Sequence, residues 1–386
     1  MNRWIVILFI VLIVSFPAFA EADGFIDSFT SSQLDTLNAK ELENILDEVL
    51  QDTDIKTSGG LKDALVRLIK GEKIFEGKTI MNSIVRIFFN ELRISLVLLS
   101  KVLIITLISA ILTNLQNTFE NSSISELANY ITYILVAILV ITSFSQLIST
   151  VQITVDRMVV FMQVLLPILL TLLVLTGGPN TKIIFHPMIL TTVNVIGVMV
   201  KNFILPLISF SFIVSILSNI SKRIELGKLS DLGRQVITFI ITASFTIFIG
   251  VITIYGLSTK IDGLTIRTAK FAVDKFVPVV GKFLSDAVEA VVGSSAILKN
   301  GIGMIGLLAL MLMILVPLMK VITLLLVYRI IGAVIEPIGT TNIVKFFNDV
   351  SKALVLVLIS LVSVGIMFFI TVTIIVDTGN SLLMLR

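Results

Sequence analysis

The sequence predicts an all-α protein: a polytopic membrane protein with about eight transmembrane helices, a small N-terminal extracytoplasmic helical segment and an amphipathic or re-entrant helical pair. Three observations carry that prediction. Apolar residues make up 56% of the 386-residue chain and charged residues only 14%, where a soluble domain is about a quarter charged. The mean hydropathy is +1.06, and the apolar residues cluster into runs close to the roughly 20 that a helix needs to cross a bilayer. The polar segments between those runs repeat their apolar residues at helical spacing. The formal charge of +3 is too small and too dispersed to argue for nucleic acid, and it suits an ordinary positive-inside bias. The chain has no cysteine, which excludes disulfides and thiolate metal sites.

Residues 1–20 have the three parts of a secretory signal. Arg3 gives a positive start, Trp4–Phe16 an apolar core, and Ala18-Phe-Ala20 a small-residue cleavage site before Glu21-Ala-Asp23. An uncleaved anchor is the alternative. Either way the next segment, residues 21–93, is expected to begin outside the cytoplasm. Within it Leu42, Ile45, Leu46, Val49 and Leu50 share one helical face after Asn38-Ala-Lys-Glu41, which resembles a capping box. Ser58-Gly-Gly60 interrupts the chain. Leu61, Leu65, Leu68 and Ile69 start a second helix, and Ile80–Phe89 a third. Three short helices make a small core, so this segment is expected to lean on the membrane or on a partner.

The spans are Ile94–Leu115, Tyr130–Val151, Met158–Thr176, Ile183–Val200, Phe203–Ile220, Val236–Leu257, Ile302–Tyr328 and Ala353–Val376. The first six fill residues 94–258 and the last two residues 302–376, leaving a tail at 377–386. Several predicted loops are very short: Gln152–Arg157, Gly177–Lys182 and Lys201-Asn202. The last could equally be a kink within one long helix, which would remove a crossing. With the first segment outside, eight spans place Ser221–Gln235 and Arg329–Lys352 in the cytoplasm. Both loops are basic, as the positive-inside rule requires. Two loops fit the rule poorly. Gln116–Asn129, also on that side, has no basic residue. The region 259–301 would be external despite Lys260, Arg267, Lys270, Lys275, Lys282 and Lys299. The C-terminus falls outside.

Between the sixth and seventh spans lies the region 259–301, whose polar stretch Thr265–Gly301 is too interrupted to cross. Phe276, Val280, Phe283, Ala287 and Val291 recur at helical spacing, with Lys282, Asp286 and Glu289 on the other side. Pro278 and Gly293-Ser-Ser295 punctuate it. This predicts two short amphipathic helices at the membrane edge, or a re-entrant pair.

No constellation for acid–base or nucleophilic catalysis emerges, so no enzyme activity, cofactor or metal is expected. The single histidine, His186, lacks partners for a zinc site, and an interfacial hydrogen bond suits it better. Gly301-Ile-Gly303-Met-Ile-Gly306 matches G-x-G-x-x-G by letter. It opens an apolar run instead of following a strand, so close helix packing is its natural reading. Leu165-Leu-Pro167, Ile204-Leu-Pro206 and Leu315-Val-Pro317 look alike; they are either a repeat of broken helices or a coincidence of an Ile/Leu/Val-rich composition. Lys101, Asn194 and Lys320 lie within spans, and Glu336 and the pair Asp156-Arg157 sit at membrane edges. A transporter would use Asn194, Lys320 and Glu336 as a polar pathway. Snorkelling and helix–helix hydrogen bonds are the plainer account.

Arg267-Thr-Ala-Lys-Phe271, Phe276-Val-Pro-Val-Val-Gly-Lys282, Ser285-Asp-Ala287, Gly293-Ser-Ser295 and Leu298-Lys-Asn300 resemble the signature of the stage III sporulation protein AE family. The ending, Gly365-Ile-Met-Phe-Phe369 with Thr378-Gly-Asn380 and Met384-Leu-Arg386, is similar too. The resemblance implies a role in endospore formation, in the mother-cell membrane around the forespore. There it implies membership of a secretion-like channel complex, or feeding tube, with an ATPase (AA), the proteins AB, AC, AD and AF, and the ring proteins AG and AH. It brings no catalytic residues. On this view Phe276, Pro278, Val280, Gly281, Lys282, Phe283, Asp286, Gly293 and Lys299 would face the intermembrane space as a collar that meets partner proteins. A stand-alone secondary transporter or a non-conducting scaffold of the complex are the competing expectations.

Overall fold

The structure is a computed structural model that describes residues 40–53, 61–69, 77–118, 122–176, 179–220, 226–276, 280–337 and 341–384. The signal segment, and Asn38 of the predicted capping box, lie outside these. Among the described residues there is no strand. The helices are α1 (Lys40–Thr53), α2 (Leu61–Ile69), α3 (Gly77–Thr118), α4 (Ser122–Leu175), α5 (Pro179–Met199), a π-helical turn (Val200–Ile204), α6 (Leu205–Ile220), α7 (Gly227–Phe276), α8 (Val280–Ile335) and α9 (Thr341–Met384).

Helix length is the main departure from the sequence reading. The predicted loop Gln152–Arg157 is helical, and α4 runs through it for 54 residues. Charge alone does not break a helix, and no Gly or Pro stands between Gln146 and Leu166. The Lys201-Asn202 loop is likewise a turn inside a continuing helix. There the Leu205 N–H donates to the carbonyl of Val200, one residue further back than in an α-helix. Pro206 follows, and its missing N–H removes the next α-type bond, a recurrent setting for such a bulge. The proposed amphipathic pair at 259–301 is also not separate. Its first part continues α7 to Phe276 and its second opens α8 at Val280. Of the three look-alike proline motifs, Pro167 and Pro317 lie inside unbroken helices, so no repeat of broken helices exists.

The eight predicted spans therefore merge. Among the described residues five helical stretches are long and apolar enough to cross a membrane: Tyr130–Leu175, Pro187–Asn219, Gly227–Ile254, Val291–Ile335 and Asn342–Thr378. The first predicted span, Ile94–Leu115, lies in α3. The two mergers cancel in their effect on sidedness. The described residues in or beside Gln116–Asn129, Ser221–Gln235 and Arg329–Lys352, namely the start of α4, the end of α6, the start of α7 and the start of α9, still meet at one end of the bundle. Tyr133 there donates to the Ile216 carbonyl at 2.8 Å and stacks edge-on against Phe346. The opposite end joins α8 to the last turns of α9.

The core is built around α4, which touches α1, α3, α5, α6, α8 and α9. Met158, Phe161, Met162, Leu165, Leu166 and Leu169 on it are wholly buried. Helix α7 is outermost: only 17% of its apolar window is buried, against 50% or more in the other four stretches. Phe239 and Ile247 on it are 72% and 65% exposed, as lipid-facing side chains would be. Terminators are local. Helix α8 ends in a turn, Glu336 N–H to Gly332 carbonyl, where Pro337 forbids another helical bond. Pro179 starts α5 at the first helical position, where its lack of an N–H does no harm.

Glycines make the close approaches possible. A Cβ on Gly303 would strike Val376 of α9, one on Gly306 would sit 2.6 Å from Leu165 of α4, and one on Gly301 would sit 2.9 Å from Leu65 of α2. The G-x-G-x-x-G segment is thus a packing device aimed at three different neighbours. The predicted apolar face of α1 is real: Leu42, Leu46 and Val49 are buried. It leans on α4 and α8 of the same chain, where a membrane or a partner was expected.

Candidate functional sites: a charged belt and a cationic end cavity

Ion-pairing side chains gather at two levels of the bundle. The first is a belt crossing α4. Asp156 accepts from Lys201 of the π-helical turn, and Arg157 pairs with Glu48 of α1 at 2.9 Å. Beneath α1 lies a cavity of about 560 Å³ lined in part by Glu48, Thr150, Thr154, Asp156, Arg157 and Pro317. Lys320 of α8 reaches the Thr150 hydroxyl at 3.4 Å. The belt's paired side chains are 42–57% exposed, so each pair adds little stability, on the order of 0–1 kcal/mol. Charges left uncovered by protein are costly in hydrocarbon, so this is the level at which water would be expected to reach the bundle.

The second level is the end where α6, α7, α8 and α9 meet. Arg234 donates from Nη2 to Asp349 Oδ1 and to Ser215 Oγ, both at 3.0 Å, and from Nη1 to Asp231 Oδ1 at 3.0 Å. Asp349 Oδ2 accepts from Asn219 at 3.0 Å. The Arg234 and Asp349 side chains are only 15% and 18% exposed, so this pair is shielded and fully hydrogen-bonded, the one arrangement in which a buried charge pair is tolerated. Ser230 adds bonds to Ser211 and Ser215, and Gly233 lies against the Ser211 hydroxyl. Beside the network opens a cavity of about 640 Å³ between α8 and α9.

The predicted site residues fare unevenly. Glu336 lines the end cavity. Asn194 bonds Gln163 across α4 and α5, and Lys101 is exposed on α3. The structure does not bring Asn194, Lys320 and Glu336 together: Lys320 and Glu336 are separated by about 24 Å of helix, and Asn194 is level with Gln163, some 20 Å along α4 from the Thr150 that Lys320 reaches.

In the collar, Pro278 lies outside the described residues. For Phe276, Val280, Gly281, Lys282, Phe283 and Asp286 only the helical backbone is described. Gly293 is helical and a Cβ there would meet nothing within 4 Å. Lys299 corrects the sequence reading. It is wholly buried, and its Nζ donates to the Val376 carbonyl at 2.8 Å, so it ties α8 to α9 and presents nothing to a partner. Val291, on the apolar side of the predicted amphipathic repeat, is 44% exposed. In a lipid-facing helix the apolar side turns outward and the charge inward. The Arg234–Asp349 network was missed, although both predicted cytoplasmic loops supplied its charges. His186 lies within α5, and among the described residues no group of His, Cys, Asp or Glu could hold a metal ion.

The family described as Stage III sporulation protein AE matches residues 60–379. The chain belongs to that family. It is 31% identical over 397 residues to the Stage III sporulation protein AE of Bacillus subtilis (strain 168), covering 100% of this chain and 99% of that one. No solved structure matches. The match to the stage III sporulation protein AE family takes in every helix from α2 to most of α9, and with them the end network and the belt apart from Glu48 of α1.

Proposed function

We propose that this chain is a membrane subunit of the channel complex that joins mother cell and forespore during endospore formation. Membership of the stage III sporulation protein AE family, across nearly the whole chain, supports a role in sporulation and is the observation that carries the reading. Five apolar helical stretches of membrane-crossing length support a place in a bilayer. The mother-cell membrane around the forespore, and a complex with the AA ATPase and the AB, AC, AD, AF, AG and AH proteins, follow from the family resemblance. The chain itself works without catalysis. A self-sufficient transporter is disfavoured, because the three polar residues it would use are far apart.

The test is a deletion in the host, complemented by the wild-type chain and by a Val280→Asp/Phe283→Asp double variant. Heat-resistant spores should vanish on deletion and return with the wild type. The double variant should insert but fail to restore them, because the region around Val280 and Phe283 meets partner proteins. Normal spore counts in the deletion strain would remove the proposed role; normal counts with the variant would remove the collar. Affinity capture of the chain from sporulating cells should bring down the AA ATPase and the ring proteins.

A further inference from the structure

We propose that the cavity between α8 and α9 at the basic end binds the phosphate headgroup of an anionic phospholipid. Three cationic side chains line it: Arg234, Arg329 and Lys352. Arg234 is matched by Asp349. Lys352 approaches Asp349 Oδ1 only at 3.5 Å and is 59% exposed, and Arg329 makes no ion pair among the described residues. Those two cations face a single lining carboxylate, Glu336. Among the lining side chains three cations thus stand against one carboxylate, while Asp231 and Asp349 are both engaged by Arg234. A phosphodiester would be held by the Arg329 and Lys352 donors and not by an excess of charge over the whole cluster. Asn348 and Ser351 add hydrogen-bonding groups.

The rest of the lining separates a lipid from a soluble anion. Tyr328, Val355 and Leu356 continue the cavity away from the charged rim. From Val344 to Leu356 the α9 wall is about 18 Å long, enough for a headgroup and part of an acyl chain. Beside Arg329 and Ala333 on α8 runs an exposed apolar stripe of Leu326, Ile330 and Val334, at 42%, 50% and 46% exposure, through which a chain can enter from the side. This end gathers the loops read as cytoplasmic, and basic clefts between helices on that side face the leaflet rich in anionic lipid.

Thermal unfolding of the purified full-length chain in detergent tests the assignment. Phosphatidylglycerol should raise the midpoint by several degrees, and phosphatidylcholine, which has no net charge, should not. Arg329→Gln with Lys352→Gln should weaken the apparent phosphatidylglycerol affinity at least tenfold, while Lys228→Gln, an exposed cation outside the cavity, should leave it unchanged. Should the double variant not fold, Ala333→Phe fills the cavity with both cations kept and should abolish the shift alone. An equal shift with glycerol 3-phosphate or inorganic phosphate would overturn the lipid assignment in favour of a soluble anion. A phosphatidylglycerol shift that survives either variant, or no shift at all, would overturn the site.

Discussion

Arg234 and Asp349 lie 115 residues apart in sequence and clamp three helices at one end of the bundle. Removing either leaves a shielded charge with reduced partners. Arg234→Ala should therefore destabilise the chain by about 3 kcal/mol, read as the loss in denaturant unfolding in detergent. Arg234→Met with Asp349→Leu should restore most of that stability, because the desolvation of both charges is relieved together. Two glycines give opposite forecasts. Gly306→Val drives a branched side chain into Leu165 and should cost about 1–3 kcal/mol through overpacking. Gly293→Ala enters open space within a helix and should stabilise by about 0.5–1 kcal/mol. Unfolding midpoints of the two variants side by side would show whether the glycines serve packing or not.

The π-helical turn is the element that sets how α5 and α6 face their neighbours. One residue more than an α-turn needs is housed in Val200–Ile204. Deleting Asn202 would turn α6 by about 100° relative to α5, pulling the Ile216 carbonyl away from Tyr133 and Asn219 away from Asp349. Asn202→Ala, at an exposed position, should be nearly silent, whereas the deletion should unfold the chain several degrees earlier. This element also shows what the sequence could tell and what it could not. The apolar runs, the helical face of α1, the packing glycines and the common end of the two basic loops were legible, because each depends on neighbours in sequence or on net charge. The fusion of spans at Asp156-Arg157 was hidden because hydropathy reads a charge as an interruption, while the helix there continues and passes those charges to Lys201 and Glu48 on other elements. Lys299 was misjudged for a related reason. Its acceptor, the carbonyl of Val376, is 77 residues away, and no local pattern announces it. The cationic end cavity is half legible in sequence: its charges stand in two basic loops, but their convergence depends on the fold.

At the scale of the whole molecule the lengths of the helices decide the relation to the membrane. The apolar stretch Tyr130–Leu175 has 46 residues, about 69 Å, against a hydrocarbon thickness of roughly 30 Å. Tilting cannot absorb the difference, since spans tilt by at most about 40°. The belt at Asp156 and Arg157 divides the bundle into two apolar strata, with about 39 Å of α4 from Tyr130 to Asp156 on one side and about 28 Å on to Leu175 on the other. If the belt is aqueous, a single cysteine in place of the exposed Ile153 should react in intact vesicles with a membrane-impermeant maleimide presented from the correct side, and one in place of Ile138 should not. The native absence of cysteine makes that experiment clean. An unreactive Ile153→Cys, with a reactive control elsewhere, would put the belt out of water's reach.

One bilayer can cloak only part of so tall an apolar surface. Outward-facing Val195 and Val198 lie on one side of the belt, and Ile138 and Phe239 on the other. A freshly inserted copy thus leaves the translocation machinery with adhesive surface still bare. How much of this chain a cell makes, relative to whatever sheathes that surface, becomes part of its folding problem.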